Sequence, residues 1–364
     1  MSYYSAIIFL AIVITLIMDI LVYGNDIIEK EQKLRIYIIS MIMIISATCE
    51  WMGVIMDGKD IGLRPLHILV KMIELSTAPA IAVLCSELFS ALKYRKYFMG
   101  VLAAHGILEV LSGFYGFIYY VDDANYYRHG SYYWVYILTY LSGMILFMCV
   151  LLRESRRYYS TNRMIMIVIP AFFLMGLGMQ YMNSSIRVTW LCTAVDVFII
   201  YNLYSELTQK LDGLTHLLNR RSYENRLSQM KENTMIFFFD VDKFKKMNDT
   251  YGHAMGDKVL IEIGAAIYTV FGKKGRCYRI GGDEFCAMIC SKEGEPDKYI
   301  YDFYEELENR RSQERKLPDV SVGYAWYTPE KESVAEVIAE ADRVMYERKR
   351  QKGMNQYAAK GNRR

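Results

Sequence analysis

RIGGDEF, residues 279–285, sets two glycines directly before two acids, between runs of strand character at 276–280 and 285–290. Glycine permits positive-φ backbone and lets a ligand or another strand approach closely. Adjacent carboxylates repel each other unless a cation lies between or beside them. Gly281, Gly282, Asp283 and Glu284 therefore ask for a hairpin tip that serves a metal ion and a bulky group held against bare backbone. Upstream, MIFFFDVDKFKKMND (235–249) carries Asp240 to the end of an apolar strand expected over 235–241, the position where sheets place their chemistry. Asp242 shares a face with Asp240 only if that strand persists through Val241. Asp240 with Asp283 and Glu284 would form a hard oxygen site suited to Mg²⁺, which also takes phosphate oxygens.

The rest of the 364-residue chain divides into unlike halves. It is 53% hydrophobic and 23% charged, and its mean hydropathy is positive. Apolar runs dominate residues 1–203, whereas the composition from residue 211 onward is that of an ordinary soluble domain. A membrane span needs about 20 predominantly apolar residues. Seven stretches qualify, near 5–23, 36–56, 66–89, 97–120, 132–152, 164–182 and 186–203, the third interrupted by Lys71, Glu74 and Glu87. Placing the C-terminus inside puts Lys30, Lys33, Arg35, Lys93, Arg95, Lys96, Arg153, Arg156, Arg157 and Arg163 in inner loops. The outer loops then hold Lys59, Arg64, Arg128 and Arg187. Ten basic residues against four favour an outside N-terminus and a cytoplasmic C-terminal domain.

Asp19, Glu50, Lys71, Glu74, His105, Glu109 and Asp196 are costly in lipid and are expected to face the interior of the helical bundle. They could line a pocket for an unknown signal ligand or simply bond between helices. Beyond the last span, Ile200, Leu203, Leu207, Leu211 and Leu214 recur at helical spacing, so 204–211 reads as a linker helix, either a dimer stalk or an amphipathic helix packed on its own domain. A net charge of +3 is too small to suggest nucleic-acid binding. The seven cysteines contain no CxxC pair and the five histidines do not cluster beside them, which argues against a zinc site. In the C-terminal part, helices are expected over 256–271, 297–311 and 333–350, and a further strand over 320–326.

Five motifs in order carry a family resemblance: DGLTHLLNRR (212–221), FDVDKFKKMNDTYGHAMGD (239–257), RIGGDEF, SVGYA (321–325) and ADRVMYERK (341–349). The chain over roughly residues 211–356 resembles the GGDEF diguanylate cyclases, in a domain expected over 212–364. The resemblance implies an α/β domain with a mainly antiparallel central sheet wrapped by helices, like the palm of nucleotide cyclases, following the α-helical transmembrane bundle of residues 1–203. It implies condensation of two GTP to cyclic di-GMP with loss of two pyrophosphates, in a homodimer that uses Mg²⁺ or Mn²⁺. Such a protein would be a multi-pass resident of a bacterial inner membrane, in contact with the lipid bilayer.

By position, Asp240, the Val241 carbonyl, Asp283 and Glu284 would hold metal, with Glu284 alternatively assisting deprotonation of the 3′-hydroxyl. Asn248 and Asp257 would read guanine. Lys245 and Lys349 would bind phosphate, Phe244 would lie in the loop beneath the β and γ phosphates, and Gly281 and Gly282 would admit the nucleotide. Two departures accompany the match. GKKG (272–275) stands where product-inhibited members carry RxxD, and the spacing after Lys349 leaves Lys352 as a stand-in for the second phosphate cation. A non-catalytic nucleotide receptor is the alternative reading. A transporter with a cytosolic regulatory domain is disfavoured because the spans show no internal repeat.

Overall fold

The computed structural model of the protein describes residues 2–89, 95–158, 163–182, 186–291, 294–313, 316–329 and 333–361. Lys93 and the side chains of Arg156, Arg157, Arg163 and Lys352 lie outside the described residues. Two compact units emerge, one of Met1–Arg156 with Ser160–Gln209 and one built on Lys210–Arg364.

The first unit is helical. It comprises α1 (Ser2–Tyr23), α2 (Lys30–Met56), α3 (Arg64–Thr77), α4 (Ala80–Phe89), α5 (Arg95–Tyr115), a small hairpin of β1 (Tyr119–Val121) and β2 (Tyr127–His129), α6 (Trp134–Tyr158), α7 (Arg163–Met182) and α8 (Thr189–Gln209). Among the described residues five helical stretches are long and apolar enough to cross a membrane: Tyr3–Tyr23, Lys30–Met56, Ile61–Phe89, Arg95–Tyr115 and Trp134–Arg153. The expected sixth and seventh spans also form helices, α7 and α8, but neither is among these five; α8 carries Asp196, Asn202 and Glu206.

The third span is broken between α3 and α4 at Pro79. A proline inside a helix lacks the N–H owed to the carbonyl four residues earlier, here Leu75. That carbonyl instead lies 3.2 Å from Nε2 of His105, and since a carbonyl only accepts, Nε2 is the donor. Glu50, Lys71, Glu74, His105, Glu109 and Asp196 are all at least nine-tenths buried, so the costly polar groups do face the interior. Lys71 and Glu74 pair at 2.8 Å. Asp19 is half-buried and accepts from Ser40 at 2.7 Å. The β1–β2 hairpin was not expected from the sequence. Its turn residue Asn125 adopts φ 61° and donates to the Met56 carbonyl at 3.0 Å.

The second unit is built from α9 (Arg220–Ser228), β3 (Thr234–Val241), α10 (Phe244–Tyr251), α11 (His253–Phe271), β4 (Arg276–Arg279), β5 (Glu284–Cys290), α12 (Pro296–Gln313), β6 (Val320–Tyr327) and α13 (Val334–Gly361). The sheet order is β4-β5-β3-β6 with every neighbouring pair antiparallel. Strand β3 reads as an unbroken apolar run because both of its faces are covered. Met235, Phe237, Phe239 and Val241 join Ile263, Ile267 and Phe303 of α11 and α12. Ile236 and Phe238 pack with Tyr223 of α9 and with Val337 and Ala341 of α13. Gly323 lets β6 lie directly on α13: a methyl there would stand 2.2 Å from the Ala341 carbonyl oxygen.

The leucine stripe does not continue as one helix. Helix α8 ends at Gln209, and Leu211 instead bridges to Leu218. The Asp212 carboxylate accepts from the backbone and hydroxyl of Thr215, at 2.9 and 2.7 Å. Such a side-chain-to-backbone turn competes with helix and pulls Leu211 and Leu214 off the stripe.

Candidate functional site

Strand register brings the acids together. Asp240, the penultimate residue of β3, lies directly opposite Glu284, the first of β5, and on its other side opposite Ser321 of β6. Asp283 is joined to the same strand end, because the Val241 amide donates to its carbonyl at 3.2 Å. The strand stops at Val241. Asp242 begins the turn, where its amide donates to the Asp319 carbonyl at 2.8 Å and its carboxylate accepts from Ser321 Oγ at 2.7 Å. Asp240 and Asp242 thus do not sit as alternate residues of one strand.

The glycine tip is clamped from below. Arg279 donates from Nε and Nη2 to the Gly282 carbonyl at 3.2 and 2.8 Å, and from Nη1 to Asp212 at 3.1 Å. Burial opposes the charge on Asp212, but hydrogen bonds from Thr215 and Arg279 outweigh it and hold the carboxyl below its usual range. Asp212 and Arg279 were visible only as motif letters. The spacing of 67 residues between them gives no hint of contact without the fold.

Lys349 of α13 reaches Asp240 and forms an ion pair with Oδ1. Burial disfavours its charge, yet Asp240, with Asp242 and Asp283 nearby, lifts the ammonium above its ordinary value. Asp240 itself is raised, first by burial and further by Asp283 and Asp242, although Lys349 pulls the other way. Glu284 is raised by burial and then by Asp240, Asp283 and Asp342.

Among the described residues no three His, Cys, Asp or Glu side chains already converge as a metal-binding group. The reason is local. Lys349 holds Asp240, and the Glu284 carboxylate folds back over the tip, where a methyl on Gly281 would come 2.5 Å from Oε2. The donor set still fits a hard divalent cation. Every candidate ligand is an oxygen, and three carboxylates stand at one sheet edge with a single ammonium, Lys349, paired to Asp240.

Beside this cluster, α10 starts at Phe244 after Lys243, which takes the left-handed conformation at φ 60°. Phe244 and Asn248, one turn apart, face Gly256 of α11. A methyl on Gly256 would lie 1.9 Å from Asn248 Oδ1 and 3.2 Å from Phe244 Cζ. Asn248 Oδ1 is buried with no hydrogen-bond partner among the described residues, a costly state for an amide oxygen unless a ligand supplies a donor. Asp257 follows Gly256 and is exposed. It stands on the second turn of α11, since that helix starts at His253 rather than at 256. Lys245 is exposed on the first turn of α10 and is not drawn into the acid cluster.

Residues 209–356 match the family described as "Diguanylate cyclase, GGDEF domain". The chain is 33% identical over 155 residues to diguanylate cyclase DgcN of Escherichia coli, covering 39% of this chain and 37% of that protein. It is 30% identical over 154 residues to diguanylate cyclase TpbB of Pseudomonas aeruginosa, covering 38% and 35%. The chain thus spans little more than a third of these relatives. Among solved structures, the GGDEF domain of DgcB from Caulobacter crescentus in complex with c-di-GMP aligns at 29% identity and TM-score 0.35, over 39% of this chain and 91% of that one. Residues 209–356 of this chain are thus similar to the GGDEF domain of diguanylate cyclases, a match that spans less than half of the chain.

Proposed function

We propose that the protein is a membrane-bound diguanylate cyclase. The observation that carries this is the register that sets Asp240 opposite Glu284 beneath the Gly281–Gly282 tip, with Lys349 and Asn248 alongside. In this reading each protomer of a homodimer binds one GTP. The 3′-oxygen of one GTP attacks the α-phosphorus of the other, the bond to the bridging α–β oxygen breaks, and pyrophosphate leaves with that electron pair. The reciprocal attack closes the ring of cyclic di-GMP and releases a second pyrophosphate.

Asp240, Asp283, Glu284 and the Val241 carbonyl would hold Mg²⁺ or Mn²⁺. Such an ion supplies charge neutralisation on phosphate oxygens and lowers the pKa of a coordinated hydroxyl. The chain's own groups do the rest. Asn248 Oδ1 accepts from the guanine edge, for which the Asp257 carboxylate is a second acceptor, and adenine presents no matching pair of donors. Lys349 and Lys245 bind phosphate, and the bare backbone at Gly281 and Gly282 lets the nucleotide lie close. Glu284 either completes the metal shell or takes the 3′-hydroxyl proton.

The helical unit is assigned as a multi-pass membrane anchor with its N-terminus outside and the GGDEF domain in the cytoplasm, on the basis of loop charge and the five apolar helices. Its buried polar groups are the proposed receiver of a signal that alters how two GGDEF domains meet. Incubating the purified full chain with GTP and Mg²⁺ and weighing the products by mass spectrometry tests this reading. Cyclic di-GMP is the expected product; GTP recovered unchanged would refute it and favour a receptor.

A further inference from the structure

Helices α4, α6, α7 and α8 enclose a cavity of about 30 Å³ with Asp196 in its wall. A water needs about 10–15 Å³ of such space, so the void admits one or two water-sized particles and excludes an organic molecule. Most of the wall is apolar, with Ile81, Phe147, Ile169, Phe173 and Val197 in it. Asp196 is only 5% exposed, and among the described residues neither of its carboxylate oxygens has a hydrogen-bond partner. No Lys, Arg or His lines the cavity among the described residues. The other polar groups in the wall are Cys85 of α4, Tyr140 of α6 and Thr193, one turn before Asp196 on α8, while α7 contributes apolar side chains. Thr193 Oγ1 donates to the Thr189 carbonyl at 2.9 Å, so it offers the cavity lone pairs rather than a proton. The Tyr140 hydroxyl lies beside it. A buried carboxylate left with neither a donor nor a cation is strongly unfavourable. The wall supplies oxygens and no positive charge, so the missing partner is a cation small enough for the void.

We propose that this cavity binds one Na⁺ ion, held by the Asp196 carboxylate, the Tyr140 and Thr193 hydroxyl oxygens and one co-bound water. Charge decides the valence: one carboxylate neutralises one positive charge, whereas a divalent ion would leave a net charge among apolar side chains. Ca²⁺ also asks for about six to eight oxygen ligands, more than this wall provides. Size decides between the alkali ions, since K⁺ requires a wider oxygen shell than Na⁺. The ion would tie α8, the helix that runs to Gln209, to α4 and α6 across the void. Its part in signalling rests on the reading of the buried polar groups as a receiver; the binding itself does not.

Binding of radiolabelled Na⁺ to the purified full chain in detergent, at mildly alkaline pH and with no GTP present, tests the site apart from turnover. Wild type is expected to take up Na⁺ saturably, and Asp196→Asn to lose about tenfold or more in affinity. Glu109→Gln, which alters a different buried acid, should stay within about twofold of wild type. Thr193→Val removes one hydroxyl ligand while keeping the side chain's shape; it should weaken binding about threefold or more, and it tests the site even if Asp196→Asn misfolds. Unlabelled NaCl should displace the tracer at concentrations about tenfold below those needed with KCl. No saturable uptake by wild type, as for a cavity that holds a protonated acid or water alone, would overturn the site, and so would undiminished binding by Asp196→Asn or Thr193→Val. KCl displacing as well as NaCl would overturn the preference for Na⁺. A chain that binds Na⁺ through Asp196 yet makes no cyclic di-GMP would refute the cyclase reading and leave the cation site standing.

Discussion

Buried and crowded carboxylates occur in both units of this protein, and they are treated differently. In the helical unit, Glu109 is fully buried with His105 Nε2 3.4 Å away, and among the described residues neither its oxygens nor those of Asp196 have a hydrogen-bond partner. In the GGDEF unit, the acids stand at strand ends, partly open to water, with Lys349 and Arg279 built in close by. The first arrangement encloses acids away from water, whereas the second gathers them at an edge that a mobile cation can reach. The contrast shows that an acid is informative only with its surroundings: the same residue type marks a closed interior in one place and an open strand edge in the other.

Removing the reactive acids gives the largest expected effect. Asp283→Ala with Glu284→Ala should lower cyclic di-GMP synthesis by about 10³-fold or more, the scale lost when groups stabilising developing charge are deleted. Because these side chains sit at an exposed tip, the melting temperature should hardly move. Glu109→Gln is the counterpart in the helical unit: it should leave the basal rate within about twofold and keep or raise thermal stability, since a buried carboxylate with no hydrogen bond among the described residues is a cost rather than a support. Equal loss of activity in both variants would erase the distinction.

Gly256→Ala sharpens the comparison within the GGDEF unit. The added methyl collides with Asn248 Oδ1, so the KM for GTP should rise about 10- to 100-fold, as for a misplaced hydrogen bond of about 1–3 kcal/mol. Discrimination against ATP should fall with it, which steady-state kinetics on both nucleotides would reveal.

A pH series separates the acids further. Asp240 and Glu284 are raised in the folded unit, so without metal their contribution to stability is present below the ordinary carboxyl range and is lost as pH rises through the raised values. Mg²⁺ reverses this by binding the ionised form. Melting curves should show Mg²⁺ stabilising the protein at neutral pH, by about 2.7 kcal/mol at a hundredfold excess over Kd, and much less near pH 4. The smallest effect is structural: Gly323→Ala forces β6 from α13 and should cost about 1–3 kcal/mol, read as a lower melting temperature with little change in KM.

Much of the GGDEF fold was legible because its signals are local. The apolar run 235–241 and the glycine pair at 281–282 announce a strand and a tip, and β3, β4 and β5 lie where they indicate. The short helices α9 and α10 were missed, since RRSYENRLS and FKKMNDTY carry too few apolar residues for a clear period, and the left-handed Lys243 that launches α10 has no mark in sequence. Helix α13 runs on to Gly361 because nothing in 351–360 stops it except Gly353, which a helix tolerates. The Asp212–Arg279 clamp and the stop at Gln209 depend on long-range partners. In the helical unit Pro79 was the available sign that the third span is two helices.

The central claim is that Asp240, Asp283 and Glu284 are placed to share a divalent ion. Crystals of the protein grown with Mn²⁺ and a non-hydrolysable GTP analogue, measured for anomalous scattering, test it most directly. The account predicts a peak between the end of β3 and the Gly281–Gly282 tip, with Lys349 turned from Asp240 towards phosphate. A peak only elsewhere, with the Lys349–Asp240 pair intact beside the bound nucleotide, would contradict it.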